Sequence, residues 1–442
     1  MSGDERRPNA WVLAATALAL LASCGGIDDR PDVVVVLIDT LRPDYLGFYG
    51  NPSETAPFLA DLAESSAVMK RAYAASSWTA PSTASLFTSW YPPRHGVVQG
   101  FFAHKANAER VERDGSAQLR LNRLPDGHPT LPQFFRAAGY RTFGLASNIN
   151  IGEEIGFARG FDRFERRQEA SVERLGEVLD TWMVEDDDTR PRLIYLHLND
   201  VHGPYTAREP WYEPRADPRE DKVARYQGEI GYVDDGLRRM FERHGWADTD
   251  TIVAVVSDHG QEFYDHGRHG HRFRLYRELV QVLALIHAPA HGVAAREVHG
   301  NVSLLDLLPT LAELAGLEAL PEWEGRSLAP VLQGTEDPAV HGRYFFSHRA
   351  STKLGRARQM WSVVHGDWHL IQSDSHFELF DLARDPAERN NLAGQLPDVV
   401  IELSSKLAEF RAGKYDDSGS SKIDVEIDEE RLKALKALGY VD

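Results

Sequence analysis

The sequence predicts a doubly wound α/β fold, in which a mixed or parallel sheet is flanked by helices, followed by a small antiparallel sheet and a helix. Val33 to Ile38 is an unbroken β-branched and aliphatic run, which is typical of a strand buried on both faces of a sheet. Leu193 to Leu198 and Thr251 to Val256 repeat this pattern, and helical stretches such as Thr130 to Ala138 lie between the runs. Strands that alternate with helices in this way indicate a doubly wound sheet.

The other elements follow in chain order. Gly139 ends the helix before it, because glycine stops helices, and a further strand is predicted over Tyr140 to Ser147. Helices are predicted over Ala56 to Ser66, Val223 to Phe241, Leu304 to Ala315, Val399 to Phe410 and Asp428 to Leu438. Short strands are predicted at Tyr344 to Phe346, Met360 to Val364, Trp368 to Gln372 and Phe377 to Phe380. Irregular chain is expected at Pro321 to Gly334 and at Gly413 to Lys422. It is also expected at His104 to Asp126, which we expect to pass over the active-site face of the sheet.

These elements divide the chain into five predicted segments. They are a signal peptide at 1–23, a tether at 24–31, an α/β domain at 32–340, a small α+β subdomain at 341–411, and a linker with a terminal helix at 412–442.

The composition excludes several classes of protein. The 442 residues are 42% hydrophobic and 10% aromatic, which suits a large packed core and excludes a disordered or fibrous chain. The net charge of −18 argues against nucleic acid as a partner, because such a partner requires a basic surface. A single cysteine, Cys24, excludes a disulfide framework and a site with several thiolates.

The N-terminal segment predicts export. Trp11 to Leu21 is uncharged and apolar, but it is too short to cross a hydrocarbon core of about 30 Å as a mature helix. The segment Leu21-Ala22-Ser23-Cys24 resembles the lipobox of bacterial lipoproteins, in which the cysteine is diacylated and becomes the new N-terminus. The resemblance implies a lipid-anchored protein of the bacterial cell envelope, facing the periplasm or on the outer membrane, and Gly25 favours the outer membrane. A short signal anchor that is retained is the alternative.

Polar side chains follow three of the predicted strands. Asp39 follows the first strand, Asp200 the second, and Asp258 with His259 the third. Because parallel strands end at one edge of a sheet, these side chains are expected on one rim, where carboxylates and imidazole could bind a divalent cation. Aspartate at a strand end is also a common turn former, so both interpretations of Asp39 remain open. His271 ends a loop that holds three histidines after His259, and their spacing does not settle which of them binds.

Ser76 to Leu86 is a second segment of interest, with Pro81 in the first turn of a predicted helix. The free N–H groups of a helix start favour an anion, and the Thr79 hydroxyl could attack it. The alternative is that Thr79 only caps the helix.

Four motifs in this order resemble those of the sulfatase family, and the resemblance covers roughly Val33 to Leu392. The motifs are Asp39 to Gly50, Thr79 to Thr88 with Tyr91 to Val97, Ser257 to Phe263, and Glu378 to Pro386 with Asn391-Leu392. The resemblance implies an alkaline phosphatase-like fold, and a catalytic role for the α/β domain. It also implies a hydrolase that cleaves sulfate or phosphate esters with a metal-held, activated nucleophile.

The sequence departs from that family at its nucleophile. Thr79 stands where sulfatases have the cysteine or serine that becomes formylglycine, and Thr83 stands where they have arginine. Because Cys24 is the only cysteine, formylglycine derived from cysteine is excluded, and a direct Thr79 alkoxide remains. Threonine is the nucleophile in related phosphodiesterases and phosphomutases, which favours phosphate or phosphonate esters. The paired aspartates of the family are Asp39-Thr40 here, which loses one ligand.

The resemblance also assigns roles to the remaining candidates. A divalent cation (Ca²⁺, Mn²⁺, Mg²⁺ or Zn²⁺) is expected on Asp39, Thr79, Asp258 and His259, and a second ion on Asp200 and His271 stays open. His202 or His271 would protonate the leaving oxygen. Substrate contacts are expected from Thr83, Asn148 and His202, whereas His197 is expected to be a satisfied core residue.

The predicted function is therefore a metal-dependent sulfatase-family hydrolase with a Thr79 nucleophile, acting on a small or polymeric anionic ester. Two alternatives stay open. One is a catalytically silent binder of anionic glycans, and the other is a transferase that passes the group on Thr79 to an alcohol. Retention of the four residues of the cation site speaks against the silent binder.

Overall fold

The computed structural model describes residues 29–102, 105–271, 273–335, 342–353, 356–412, 421–438 and 440–441. The predicted signal peptide, Cys24 and most of the predicted tether and linker lie outside the described residues. Within the part that is described, no helix combines the length and the apolar character needed to cross a membrane.

A large mixed sheet forms the centre of the fold. Its nine strands among the described residues are β1 (Asp32–Ile38), β2 (Ala67–Tyr73), β4 (Arg141–Ala146), β5 (Arg163–Arg166), β6 (Arg192–Leu198), β7 (Thr251–Val256), β10 (Gln281–Val282), β11 (Ala284–His287) and β12 (Arg296–Ser303). Their order is β10-β2-β11-β7-β1-β6-β4-β5, with β12 beside β2. Because β1 pairs in parallel with both β6 and β7, the carboxyl ends of these three strands meet at one edge.

Helices flank the sheets of the fold, and twelve of them lie among the described residues. They are α1 (Pro57–Ala63), α2 (Thr79–Thr88), α3 (Pro92–His95), α4 (Lys105–Asp114), α5 (Leu131–Ala137), α6 (Val172–Glu185), α7 (Pro218–His244), α8 (Arg277–Val280), α9 (Leu307–Leu314), α10 (Ala329–Leu332), α11 (Pro397–Ala412) and α12 (Glu429–Ala437). Short 3-10 helices lie at Pro43–Tyr45, Gly47–Tyr49, Pro289–His291 and Leu304–Asp306. Gly139 follows α5 with φ +96°, a left-handed conformation that suits glycine, so the predicted helix stop is confirmed.

The central strand explains why its sequence is apolar without alternation. Val33, Val35 and Leu37 of β1 belong to the hydrophobic core on one face of the sheet, and Val34, Val36 and Ile38 belong to the core on the other. Since side chains alternate between the faces of a strand, a strand covered on both sides needs apolar residues at every position. The predicted fold class is confirmed by this architecture.

The C-terminal subdomain is the small antiparallel sheet that the sequence predicts. Its strands are β13 (Phe345–Lys353), β14 (Arg356–His365), β15 (Trp368–Ser373) and β16 (His376–Asp381), joined in that order. Leu403, Leu407 and Phe410 of α11 pack on this sheet. Ser347 of β13 donates a hydrogen bond from its hydroxyl to the Ala74 carbonyl at 2.6 Å, so the subdomain is tied directly to the segment before α2.

Two segments that were predicted to be irregular or a linker are ordered instead. The predicted excursion His104–Asp126 contains α4 and β3 (Ser116–Arg123), and the predicted linker at 412–442 contains β17 (Ser421–Asp428), which pairs antiparallel with β3. Ala117, Leu119 and Leu121 are buried and the residues between them, Gln118 and Arg120, are exposed, so β3 does alternate as a half-buried strand should. Its partner strand follows almost 300 residues later in the chain, and this separation hides the pairing from local sequence patterns.

Smaller differences concern helix and strand ends. The predicted loop Pro321–Gly334 contains α10, and the predicted helix Leu304–Ala315 begins with a 3-10 turn before α9. The histidine-rich loop after β7 contains the two-residue strands β8 (Glu262–Phe263) and β9 (His269–Gly270).

A buried ion pair joins the two parts of the chain, and its loss is predicted to destabilise the fold. Asp306 is fully buried and accepts from Nη1 and Nη2 of Arg343 at 2.9 and 2.8 Å and from two backbone N–H groups. Asp306→Ala is expected to lower the free energy of unfolding by about 3–5 kcal/mol, because a buried guanidinium loses its partner. Urea denaturation measures the change.

The control for this prediction is Glu409→Ala, which breaks an exposed ion pair with Lys406. A surface pair of this kind contributes about 1 kcal/mol or less. Equal effects of the two substitutions would contradict the prediction.

Candidate active site

The candidate site lies at the edge where β1, β6 and β7 end. Asp39 directly follows β1, and Asp258 and His259 follow β7 after one intervening residue. Thr40 adopts φ +57°, which is uncommon for a residue other than glycine and is typical of functional sites. Its backbone N–H donates to Oδ1 of Asp258 at 3.2 Å, so the turn after β1 holds the carboxylate that follows β7.

Asp39, Asp258 and His259 form a cluster suited to a metal ion. All three residues are fully buried, and their ligand atoms lie within 4.8 Å of one another. Nε2 of His259 lies 3.8 Å from Oδ1 of Asp39 and 3.6 Å from Oδ2 of Asp258. Neither of these carboxylate oxygens has a hydrogen-bond partner in the part of the chain that the structure describes. Because unpartnered buried oxygens are costly, two of them facing one imidazole fit a divalent cation.

The other oxygens of the two carboxylates are held by the protein. Oδ2 of Asp39 accepts from Nδ2 of Asn148 at 2.6 Å and lies 3.2 Å from Nε2 of His197. Oδ1 of Asp258 accepts from the backbone N–H of His259 at 2.8 Å as well as from Thr40. Each carboxylate is therefore fixed through one oxygen and leaves the other free for a cation.

The two carboxylates have opposite pKa shifts. Burial and the negative charge of Asp39 raise the pKa of Asp258 well above its usual range. Burial also opposes ionisation of Asp39, but the hydrogen bond from His197 and the neighbouring imidazoles lower its pKa to about 2. Two carboxylates so close in a dry site cannot both ionise without cost, and a bound cation would remove that cost.

Thr79 is placed against this cluster by the start of α2. Trp78 is the N-cap of this helix, with extended backbone, and no side chain caps the helix start, so Thr79 does not have the capping role. The Thr79 hydroxyl lies 3.3 Å from Nε2 of His259 and 3.4 Å from Oδ2 of Asp39. It is fully buried beside the three candidate ligands.

His202 and His271 complete one wall of the site. Their Nε2 atoms are 3.1 Å apart, and the ring of His271 lies 4.5 Å from that of His259. Burial lowers the pKa of His202 and, together with the neighbouring imidazoles, lowers that of His271 well below its usual range. Both imidazoles are therefore neutral at neutral pH and act as N–H donors or as acceptors.

Several predicted residues lie apart from the cluster. Asp200 accepts from the backbone N–H of Val172 at 3.2 Å and faces the Arg208 guanidinium at 3.8 Å. Among the described residues, no group of candidate metal ligands contains Asp200 together with His271, so the second cation site that was left open gains no support. The side chain of Asp200 turns elsewhere because the rim position of a residue does not determine the direction of its side chain. Thr40 turns its hydroxyl to the Val201 carbonyl, away from the cluster.

Two further candidates have distinct surroundings. Thr83 lies one helical turn after Thr79, and its buried hydroxyl has no hydrogen-bond partner. Asn148 donates to Asp39 and also to Oδ1 of Asn199 at 2.8 Å, which places it inside the site. The substrate contacts expected of Thr83, Asn148 and His202 stay predictions.

Sequence reasoning missed residues that the fold brings to the site. His197 is buried with Tyr195 as its second partner at 2.9 Å, as expected of a satisfied histidine, but its first partner is Asp39. Its position as a lone polar residue within a strand of apolar residues was the available signal. Tyr440 places its hydroxyl 3.3 Å from Nε2 of His202, and Arg349 lines the same cleft. Neither belongs to a motif.

The fold and the buried Asp–Asp–His cluster define an α/β protein with a candidate metal site, and comparison with known proteins identifies its family. The sulfatase family model matches residues 31–317, and a model for the C-terminal region of N-sulphoglucosamine sulphohydrolase matches residues 264–413. The chain belongs to the sulfatase family, whose members are hydrolases acting on ester bonds and typically use a divalent metal.

Individual relatives are similar over most of the chain. A Δ4,5-hexuronate-2-O-sulfatase of Bacteroides thetaiotaomicron is 23% identical over 92% of this chain and 94% of its own length. A solved 2-O GAG sulfatase superposes with a TM-score of 0.70 at 21% identity, covering 88% of this chain and 94% of its own. A phosphonate monoester hydrolase of Agrobacterium radiobacter gives a TM-score of 0.69 at 19% identity, covering 88% and 96%.

Removal of a candidate ligand is predicted to abolish metal binding. Asp258→Asn is expected to weaken the affinity for Mn²⁺ more than about 100-fold. His197→Gln removes no candidate ligand but disturbs the hydrogen bonds of His197 with Asp39 and Tyr195, and a loss of about 10–100-fold is expected. Bound metal is measured by plasma mass spectrometry after chelation and reloading.

Asp200→Asn is the matched control for metal binding, since Asp200 lies apart from the cluster. It is expected to bind Mn²⁺ as the unmodified protein does. A loss as large as that of Asp258→Asn would instead place Asp200 in a metal site.

Asp200 also predicts a pH dependence of stability. Burial raises the pKa of Asp200 to about 7, with Glu229 adding to the shift and Arg208 opposing it. Because the folded carboxyl keeps its proton up to a higher pH than the unfolded one, stability is lost as the pH rises from about 4 to 7. Asp200→Asn is expected to gain up to about 4 kcal/mol over the unmodified protein at pH 8, but almost nothing at pH 4.

Thermal unfolding at both pH values measures this difference. The control is Asp248→Asn, at an exposed position. We expect its stability relative to the unmodified protein to be the same at pH 4 and pH 8. A gain of Asp200→Asn that is equal at pH 4 and pH 8 would show that burial does not shift this carboxyl.

Proposed function

We propose that this protein is a metal-dependent esterase of the sulfatase family that uses Thr79 as its nucleophile, on sulfate, phosphate or phosphonate esters. The observation that carries the proposal is the position of the Thr79 hydroxyl, 3.3 Å from His259 and 3.4 Å from Asp39. A divalent cation held by Asp39, Asp258 and His259 would lower the pKa of that hydroxyl and neutralise charge on the transferred group.

The residues of the chain divide the remaining work. Thr79 Oγ1 attacks sulfur or phosphorus in line with the leaving oxygen and passes its proton to a base or to solvent. Asn148 and His197 keep the Asp39 carboxylate oriented during attack. Water then cleaves the ester on Thr79 and releases sulfate or phosphate.

The His202–His271 pair is suited to protonating the leaving oxygen. The two Nε2 atoms share one hydrogen bond at 3.1 Å, so one imidazole can donate a proton while the other accepts. The Tyr440 hydroxyl lies 3.3 Å from Nε2 of His202. Because burial lowers the pKa values of both histidines, the pair starts neutral, and the proton that it passes to the leaving oxygen is the one that it takes up from Thr79.

Phosphate and phosphonate esters are favoured over sulfate esters by the residue at position 79. A threonine cannot become the formylglycine of sulfatases, and a fold relative acts as a phosphonate monoester hydrolase. Sulfated glycans remain a second candidate class, because relatives are described as a hexuronate-2-O-sulfatase and a 2-O GAG sulfatase. With a lipid on Cys24, the enzyme would act at the bacterial cell envelope.

Two other functions are separated from this one by experiment. A silent binder would have no use for a hydroxyl buried against Asp39 and His259, next to a cluster with two unpartnered carboxylate oxygens. A transferase would use the same Thr79 ester but pass the group to an alcohol. Product analysis in the presence of glycerol distinguishes glycerol ester from free phosphate or sulfate.

Loss of the Thr79 hydroxyl is predicted to abolish turnover. The full chain loaded with each divalent metal is assayed on nitrophenyl sulfate, phosphate, phosphodiester and phosphonate. Thr79→Ala is expected to lower kcat at least ~10³-fold, because the nucleophile itself is lost, whereas Thr79→Ser keeps a hydroxyl and measurable activity.

Thr88→Ala provides the matched control on the same helix, where the Thr88 hydroxyl bonds the Ala84 carbonyl away from the site. It is expected to stay within about twofold of the unmodified enzyme. Full activity of Thr79→Ala would disprove the threonine mechanism. Absence of turnover by all variants with every metal would favour the silent binder.

A further inference from the structure

Arg349 is a half-buried cation that makes no ion pair with a carboxylate among the described residues. It lies on β13, and its guanidinium carbon is 4.4 Å from the centre of the Trp78 ring, directly before Thr79. Nε and Nη1 of Arg349 are buried and make no hydrogen bond. Burial lowers the pKa of Arg349 to about 10, with the Tyr440 phenol acting in the opposite direction, so the side chain is still cationic at neutral pH.

This guanidinium faces the candidate active site. Arg349 lines the same cleft as His202 and His271, and the His271 ring lies 4.5 Å from that of His259 in the Asp39–Asp258–His259 cluster. Buried guanidinium nitrogens without a counter-charge cost free energy, and a bound anion would offset that cost. Unpaired N–H groups of a fixed guanidinium fork suit the oxygens of a sulfate or phosphate group.

Tyr440, near the C-terminal end of the chain, lies in the same cleft as Arg349. Strand β17 and α12 are anchored on the α/β domain by the β3 pairing and by an ion pair of Arg431 with Glu154 at 2.9 Å. The hydroxyl of Tyr440 interacts with the side chains of His202, Thr79 and Asn148. Residues 414–442 lie beyond both family models, so this tyrosine is not part of the matched family sequence.

The cleft that contains both residues has the charge of an anion site. Its volume is about 880 Å³, and cationic side chains line it together with Trp78 and Tyr440; they include Lys222, Arg268, Arg349 and Arg358. Such a lining stands out in a chain of net charge −18, since the overall balance would predict acidic surfaces.

We propose that Arg349 and Tyr440 form an anion subsite that holds the non-reacting oxygens of the transferred sulfate or phosphate group. Arg349 on β13 supplies the positive charge of this subsite, and Tyr440 in the C-terminal segment supplies a hydrogen-bond donor. Thr83 on α2 has no charge to supply. This assignment rests on the proposed function for the identity of the transferred group. Arg349 and Tyr440 are then substrate-positioning residues, contributed by two segments outside the central sheet.

The test measures binding of inorganic sulfate and inorganic phosphate by isothermal titration calorimetry, with the full chain and Mn²⁺ present throughout. Arg349→Met is expected to weaken binding of at least one anion 10-fold or more, because two charge-assisted hydrogen bonds are lost. Tyr440→Phe keeps the ring but loses the donor, and a 3- to 10-fold loss is expected. Arg384→Met, on the exposed surface of the same subdomain, has the same change of net charge and is expected to bind like the unmodified protein.

Thermal unfolding provides a second measurement that does not depend on catalysis. Arg349→Met is expected to melt at the same temperature as the unmodified protein or higher, and added phosphate or sulfate is expected to raise the melting temperature of the unmodified protein but not of the variant. If Arg349→Met fails to fold, Arg349→Gln takes its place, with the same loss of binding expected.

Anion binding by the Arg349 variant within twofold of the unmodified protein would overturn the subsite. So would an unmodified protein that binds neither anion. A Thr79→Ala variant that remains fully active would overturn the proposed nucleophile, but loss of anion binding in Arg349→Met would then still support the subsite, so the two failures are distinguishable.

Discussion

The structure depends on two carboxylates that are buried side by side at the ends of neighbouring parallel strands. Asp39 and Asp258 carry like charges in a dry site, and each exposes one unpartnered oxygen to the same imidazole. The protein stabilises the opposite oxygens with backbone N–H groups and with Asn148 and His197, but leaves the inner pair unsatisfied. Such an arrangement is costly unless a cation or a proton lies between the carboxylates, since either would relieve the repulsion between them.

The parallel strands explain why this much of the site could be predicted from the sequence. A run such as Val33 to Ile38 identifies a strand covered on both faces, and the first polar residue after it must lie at the sheet edge. The position of Asp39 and Asp258 on one rim follows from that argument. The direction of a side chain beyond the strand end does not follow, because periodicity stops there. Asp200 meets the same sequence criterion but turns to the N-terminus of α6 and to Arg208.

The residues that could not be predicted reach the site through pairings between distant parts of the chain. β17 finds its partner β3 almost 300 residues earlier, and only this pairing carries Tyr440 to His202. Arg349 arrives on the first strand of a separate sheet, where its neighbours in sequence, Ser347 and His348, anchor β13 beside α2. No local pattern distinguishes such residues from surface side chains. His197 is a different case, because a histidine within a buried apolar strand does signal a specific partner.

Positions 79 and 83 both carry threonine where sulfatases have cysteine or serine and arginine, and the two differences can be explained together. A threonine hydroxyl is a weak nucleophile, so it requires a stronger electrostatic environment than a preformed hydrated aldehyde does. Thr83, one turn after Thr79, offers only an uncharged hydroxyl, and positive charge must therefore come from elsewhere. Arg349 lies against Trp78, the residue that precedes Thr79, and the cost of its unpartnered buried nitrogens would fall with an anion in the cleft. On the proposed function, the same guanidinium would strengthen binding of the charge that develops during transfer, which is how a preorganised site lowers a barrier.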